Sequence, residues 1–396
     1  SLVALLTPPF SLAQTNIKKK RKPTRKGIQR REMEEDSGNQ YDVIIIGGGI
    51  MGSCTAYHVA KRGSKALLLE QFDLLHSRGS SHGESRTIRA TYPEDYYSSM
   101  VVQSSALWEE AQLEVGYTVY FKTPHFDMGP TGNKSLISLI SSCDKNSYPF
   151  ETLGPEQVRT RFAGRVEILA DWVGVSSGLG GVIKPTKAVC MFQTLACRNG
   201  AVLRDNTEVT HVARAVKGGV QVFTANGEKF WGKKCVVTAG AWTGKLVKNV
   251  TGLELPIQAL ETAVHYWKVK EGHEGDFTIG SGFPTFASYG EPYIYGTPSM
   301  EFPGLIKIAI HGGNPCDPDK RPWGPGLDLD PVRKWIRERF MGLVDDDGPA
   351  CTQLCMYSMT PDEDFVIDFL GGEFGDDVVV GGGFSGHGFK MGPVVG

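Results

Sequence analysis

The sequence predicts an α/β fold in which a Rossmann-like, dinucleotide-binding domain is interleaved with an antiparallel-sheet domain. Three observations predict it. Asp42-Val-Ile-Ile-Ile-Gly47-Gly48-Gly49-Ile-Met-Gly52 sets a short β-branched run against glycines spaced G-x-G-x-x-G, and a second apolar run closes on Glu70. Strand-like and turn-like pieces alternate from Val202 to Thr238. From Leu255 to His311 the chain is rich in aromatic and β-branched residues broken by turns, as in an antiparallel sheet that walls a pocket.

Val43 to Ile46 reads as a strand buried on both faces, followed by a helix from about Ile50 to Lys61. Gly47 permits the tight turn, Gly49 lets the backbone approach a pyrophosphate, and Gly52 lets helix and strand pack closely. The helix N-terminus offers N–H groups and a positive dipole end to phosphate. Ala66 to Leu69 then delivers Glu70 at the separation where an acid grips a ribose hydroxyl. A bare glycine fingerprint is a weak signal, and a glycine-rich packing turn is its plain alternative. Strand, helix, strand and acid in this order make it a dinucleotide site.

Ser80 to Arg89 reads as a polar, glycine-bearing loop. Helices follow over Tyr96–Leu113 and Ser135–Ser142, with a short strand at Thr118–Lys122 between them. Another helix spans 187–199, where Cys190 and Cys197 share a face at i, i+7 and read as core packing. Strands at Val202–Leu203, Glu208–Arg214 and Gly219–Thr224 lead into the hairpin signal Asn226-Gly227 and a strand at Glu228–Trp231. Lys234–Thr238 reads as a separate buried strand closing on Ala239-Gly240-Ala241-Trp242, whose small residues permit close approach to a ligand. A helix at Pro331–Met341 and strands at Phe365–Ile367 and Asp377–Val380 complete the pattern.

The 396 residues supply core for two or three domains, and with 40% hydrophobic and 22% charged residues the composition is that of an ordinary globular protein. No apolar run is long enough to span a bilayer. The net charge of -2 hides an asymmetry: residues 18–31 carry nine Lys or Arg and residues 32–36 carry four acids, which leaves the body near -7. An acidic body predicts no nucleic-acid partner. Eight scattered cysteines form neither a disulfide framework nor a zinc pattern, so free thiols, a reducing compartment and no metal are expected. Residues 1–40 read as a disordered basic extension, its order of charge and apolar residues reversed from that of a secretory signal. Val394-Val395-Gly396 is no peroxisomal tripeptide, and the glycine-rich loop before it reads as leading into a helix cut short at the C-terminus.

Three further blocks carry a resemblance: Ser81-His82-Gly83-Glu84-Ser85-Arg86-Thr87-Ile88-Arg89, Cys355-Met356-Tyr357 through Asp368, and Gly383-Phe384-Ser385-Gly386-His387-Gly388-Phe389-Lys390. From about Tyr41 to the end the chain closely resembles the monomeric sarcosine oxidase and pipecolate oxidase family, flavoenzymes of the glycine-oxidase-like superfamily. The resemblance implies FAD as cofactor, held by Gly47, Gly49, Gly52, Glu70, Ser81, His82, Arg86, Gly386, Gly388 and Lys390, and joined covalently through Cys355. It implies a substrate carboxylate bound by Arg89 and Lys390, oxygen activated beside Lys307, and an amine end shaped by Tyr357, His311 and Tyr295.

The implied activity is oxidation of a small secondary amino acid, sarcosine or L-pipecolate, by hydride transfer to the flavin, with O2 then reduced to H2O2. It further implies a monomer and, by resemblance, a peroxisomal location; the residues present point otherwise to the cytoplasm. On this reading 41–120, 180–250 and 345–396 form the FAD-binding domain, and 121–179 with 251–344 form the substrate domain. A flavin-dependent dehydrogenase, or a shortened flavin-binding protein without turnover, are the competing readings.

Overall fold

Two large sheets carry the fold in the computed structural model, which describes residues 39–396 apart from 322 and 325. The expectation for residues 1–40 therefore lies outside the described residues, save for Asn39 and Gln40. No helix among the described residues is long and apolar enough to cross a membrane.

The first sheet has eight strands. Gln40–Ile46 runs parallel to Ala66–Leu69, with Val43 opposite Ala66 and Ile46 opposite Leu69, and Val202–Arg204 extends the sheet in parallel. Every residue of Ala66–Leu69 is buried, which is why the strand is continuously apolar rather than alternating. The helix Ile50–Lys61 packs Cys54, Tyr57 and Ala60 into a core shared with helices Asp95–Val115 and Pro185–Arg198. Each fully buried Leu or Ile there contributes roughly 1.5–3 kcal/mol. The glycine spacing is a packing demand as much as a binding one: a Cβ on Gly52 would come within 1.9 Å of Gly47 O. Gly52→Ala is expected to cost about 3 kcal/mol or more, read as a lower denaturant midpoint and lost flavin loading.

The second sheet has nine strands and is centred on Gln258–Lys268. On one side this strand pairs antiparallel with Leu305–Ile310, Tyr266 opposite Lys307. On the other it pairs with Cys351–Met359, Thr262 opposite Cys355. The helix Asp330–Arg339 caps the sheet by burying Val332, Trp335 and Ile336. A three-stranded sheet of Arg86–Arg89, Gly180–Ile183 and Tyr120–Lys122 completes the architecture.

Several expectations are corrected. Arg86–Arg89 is a strand, paired in register with Gly180–Ile183, where a loop was expected. The pieces at 228–231 and 234–238 form one strand, Lys229–Val237, because Gly232 continues it without a break. Cys351–Met359, expected with the dinucleotide-binding part, is a strand of the second sheet. Cys190 is half-buried and Cys197 exposed: the buried face of their helix is formed by Ala188, Met191, Phe192 and Leu195 instead. All eight cysteines are free thiols, as expected.

Candidate active site

A cavity of about 990 Å³ runs from the glycine turn to the Cys355–Tyr357 strand, near the upper end of the volumes of small-molecule sites. At its first end Gly47 has φ +103, and a Cβ there would lie 2.4 Å from Thr238 O. Only glycine combines that conformation with that approach. Gly48, Gly49 and Ile50 line the same end. Ser81 Oγ accepts from Ile50 N–H at 3.1 Å, holding the Ser81 loop against the helix N-terminus. Glu70 is buried and accepts from Gly48 N–H at 2.7 Å and Phe72 N–H at 2.9 Å, so its carboxylate is fixed at the cavity edge. A glycine cradle that Cβ atoms would fill, an open helix N-terminus and a pinned acid fit a dinucleotide such as FAD.

Further along, cations converge from both sheets. Lys307 is 2% exposed and donates from Nζ to Ser85 O at 2.7 Å. Burial pulls its pKa down to about 7, helped by Arg86 and opposed by Glu84. The Arg86 guanidinium donates to the carbonyls of Ser80, His82 and Ser85, which pins it, and lies 3.4 Å from Cys355 Sγ. Cys355 and Tyr357 sit two residues apart on one strand and so share a face; both line the cavity. Tyr357 Oη lies 3.2 Å from Tyr295 Oη, and its ring is 5.4 Å from that of His311. Gly386, with φ +75, lets the last glycine loop lie against both: a Cβ would meet Tyr357 and His311 at 3.0 Å.

Arg89 and Lys390 form the far wall. Lys390 Nζ donates to Tyr92 Oη at 2.8 Å and to His387 O at 3.1 Å. Burial and the neighbouring Arg89 push its pKa well below the ordinary lysine value. The Arg89 guanidinium lies 4.2 Å above the Tyr92 ring, and its buried Nη1 has no hydrogen-bond partner. An unpaired buried cationic donor is costly, and a carboxylate entering the cavity supplies what it lacks. The arriving anion also restores the charge of Lys390.

The structure thus brings Gly47, Gly49, Glu70, Ser81, Arg86, Arg89, Tyr295, Lys307, His311, Cys355, Tyr357, Gly386, Gly388 and Lys390 to one cavity. Gly52 and His82 stand outside its wall. Gly52 packs the helix onto the turn, and His82 is buried behind it, its pKa lowered to about 4 by burial and Arg86. Sequence reasoning missed Tyr92, His125, Tyr289 and Tyr293, which line the Arg89 end. No local motif marks them; the aromatic density after Leu255 was the one usable signal for the last two.

The fold and this site define a class: residues 42–396 match the FAD dependent oxidoreductase family, and the chain belongs to it. Within that family it is similar to sarcosine oxidases. It is 63% identical over 366 residues to a probable sarcosine oxidase of Arabidopsis thaliana, covering 92% of this chain and 88% of that one. It is 35% identical to the peroxisomal sarcosine oxidase of Homo sapiens, covering 90% of each, and 32% identical to the monomeric sarcosine oxidase of Bacillus sp. (strain NS-129), covering 90% and 91%. Among solved structures, NikD, an unusual amino acid oxidase, superposes with a TM-score of 0.75 at 24% identity, covering 90% of this chain and 92% of that one. L-proline dehydrogenase from P. horikoshii gives a TM-score of 0.75 at 22% identity, covering 90% and 91%. These two likenesses concern the fold.

Proposed function

We propose that this chain is an FAD-dependent oxidase of small secondary amino acids, with sarcosine as first substrate and L-pipecolate as second. The observation that carries the reading is the unpartnered Nη1 of Arg89 facing a cavity shared with Lys390, Lys307 and Cys355. Bound FAD supplies the two-electron acceptor chemistry at the carbon next to the amine nitrogen and passes the electrons to O2. The chain's residues do the rest. Arg89 and Lys390 grip the carboxylate and so fix which carbon faces the cofactor. Tyr357, Tyr295 and His311 bound the amine end. Lys307, desolvated and fixed on Ser85 O, presents positive charge where oxygen takes up negative charge. Sarcosine and L-pipecolate in a peroxide-coupled assay test the reading; a yellow protein that forms no peroxide with either contradicts it.

Covalent attachment through Cys355 belongs to the same proposal. The thiol is buried on the cavity wall, 3.4 Å from the Arg86 guanidinium, whose charge favours a thiolate nucleophile. Flavin colour is expected to stay with the acid-precipitated pellet of the wild-type protein and to pass into the supernatant for Cys355→Ser. We also place the chain in the peroxisome and as a monomer, on its similarity to the human and bacterial relatives. The cofactor-binding part is assigned to 41–120, 180–250 and the chain beyond Met359, and the substrate-binding part to the second sheet.

A further inference from the structure

Beneath Arg89 lies an acid that no motif announces. Asp127, on the strand His125–Pro130, has no exposed surface. Thr91 Oγ1, two residues beyond Arg89, donates to its Oδ2 at 2.6 Å, and His125 Nε2 lies 3.1 Å from its Oδ1. His125 Nδ1 is in turn 2.8 Å from Thr285 Oγ1, so both ring nitrogens are engaged. Burial lowers the His125 pKa despite Asp127, which leaves a neutral ring whose Nε2–H donates to the acid. Burial also acts to raise the Asp127 carboxyl, but His125, the Arg89 guanidinium and the Thr91 hydrogen bond hold it below the usual range. Asp127 is therefore an ion, and a buried ion needs an opposite charge. With His125 neutral, Arg89 is the cation that answers it. Two other carboxylates at this end of the cavity, Glu94 and Glu363, are exposed and screened by solvent.

We propose that Asp127 is a fixed counter-charge that restricts the substrate to one carboxylate. Arg89 and Lys390 bring two positive charges, Asp127 offsets one, and a single substrate carboxylate completes neutrality. A second carboxylate leaves an excess negative charge in a cavity that water screens poorly. The inference rests on the reading in which Arg89 receives the substrate carboxylate, and it makes Asp127 a positioning and specificity residue that need not touch the substrate.

Inert ether analogues test it on the flavin-loaded protein, because an ether oxygen in place of the amine nitrogen cannot be oxidised in the same way. Diglycolate carries two carboxylates, and its monomethyl ester matches it in size with one. Titration followed by the flavin absorption spectrum is expected to show the wild-type protein binding the monoester about tenfold or more tightly than the diacid. Asp127→Asn is expected to narrow that gap to about twofold, and to lower the kcat/KM preference for sarcosine over iminodiacetate by about tenfold. A wild-type protein that binds the diacid as tightly as the monoester overturns the inference, and this comparison decides even where the variant does not fold. So does a folded, yellow Asp127→Asn protein that keeps the full gap. Binding of neither analogue, with no oxidation of sarcosine, overturns the proposed function together with the inference.

Discussion

Arg89→Gln is expected to raise the KM for sarcosine about 10²–10³-fold while changing kcat far less. Arg89 stacks on Tyr92 and holds a buried, unpartnered Nη1 toward the cavity. Its work is thus to hold the carboxylate through ground state and transition state alike. A uniform binding interaction appears in KM. Lys390 stays in the variant, but burial and its bonds to Tyr92 and His387 make it a single charge without the planar fork of a guanidinium. Steady-state kinetics on the folded, yellow variant check this. An unchanged KM means that the carboxylate binds elsewhere.

Lys307→Met is expected to leave anaerobic bleaching by sarcosine near the wild-type rate and to slow the return of colour in air about 10²–10³-fold. The lysine is buried, so its charge is weakly screened and aimed into the cavity. The same residue predicts a pH dependence. Its pKa lies near 7 through burial, so it is charged below that value and neutral above it. Oxygen reactivity is therefore expected to fall as pH rises through about 7, and Lys307→Met should lack that step. The substitution also leaves Ser85 O without its donor, at a stability cost of about 1–3 kcal/mol, so thermal unfolding is measured alongside. A variant that reoxidises as fast as wild type removes the electrostatic basis of the oxidase reading.

Where local chemistry decides the structure, the sequence was legible. Val43 to Gly52 declares its strand, turn and helix because glycine spacing and apolar runs are short-range constraints, and the helix Ile50–Lys61 falls where expected. Arg86–Arg89 was not legible as a strand: its alternation is polar, and its partner Gly180–Ile183 lies far along the chain. Cys351–Met359 is similar. Cys-Thr-Gln-Leu-Cys-Met-Tyr has no clean period, and its strand form is set by nine residue pairs with Gln258–Tyr266. The blocks around Arg89, Cys355 and Lys390 were found through resemblance, since one basic residue in a loop usually means only a surface charge. Asp127 escaped because its meaning comes from Thr91 and Arg89, more than thirty residues earlier, and from Thr285, which fixes His125 from across the sheet.

Spectroscopy of the purified protein under anaerobic sarcosine tests the central claim most directly: a flavin lies among cations that hold a carboxylate on one side and favour oxygen on the other. The yellow absorption band should bleach on mixing with sarcosine, then return on admitting air with one H2O2 released per amine oxidised. A colourless protein, or a yellow one whose spectrum neither sarcosine nor L-pipecolate perturbs, contradicts it.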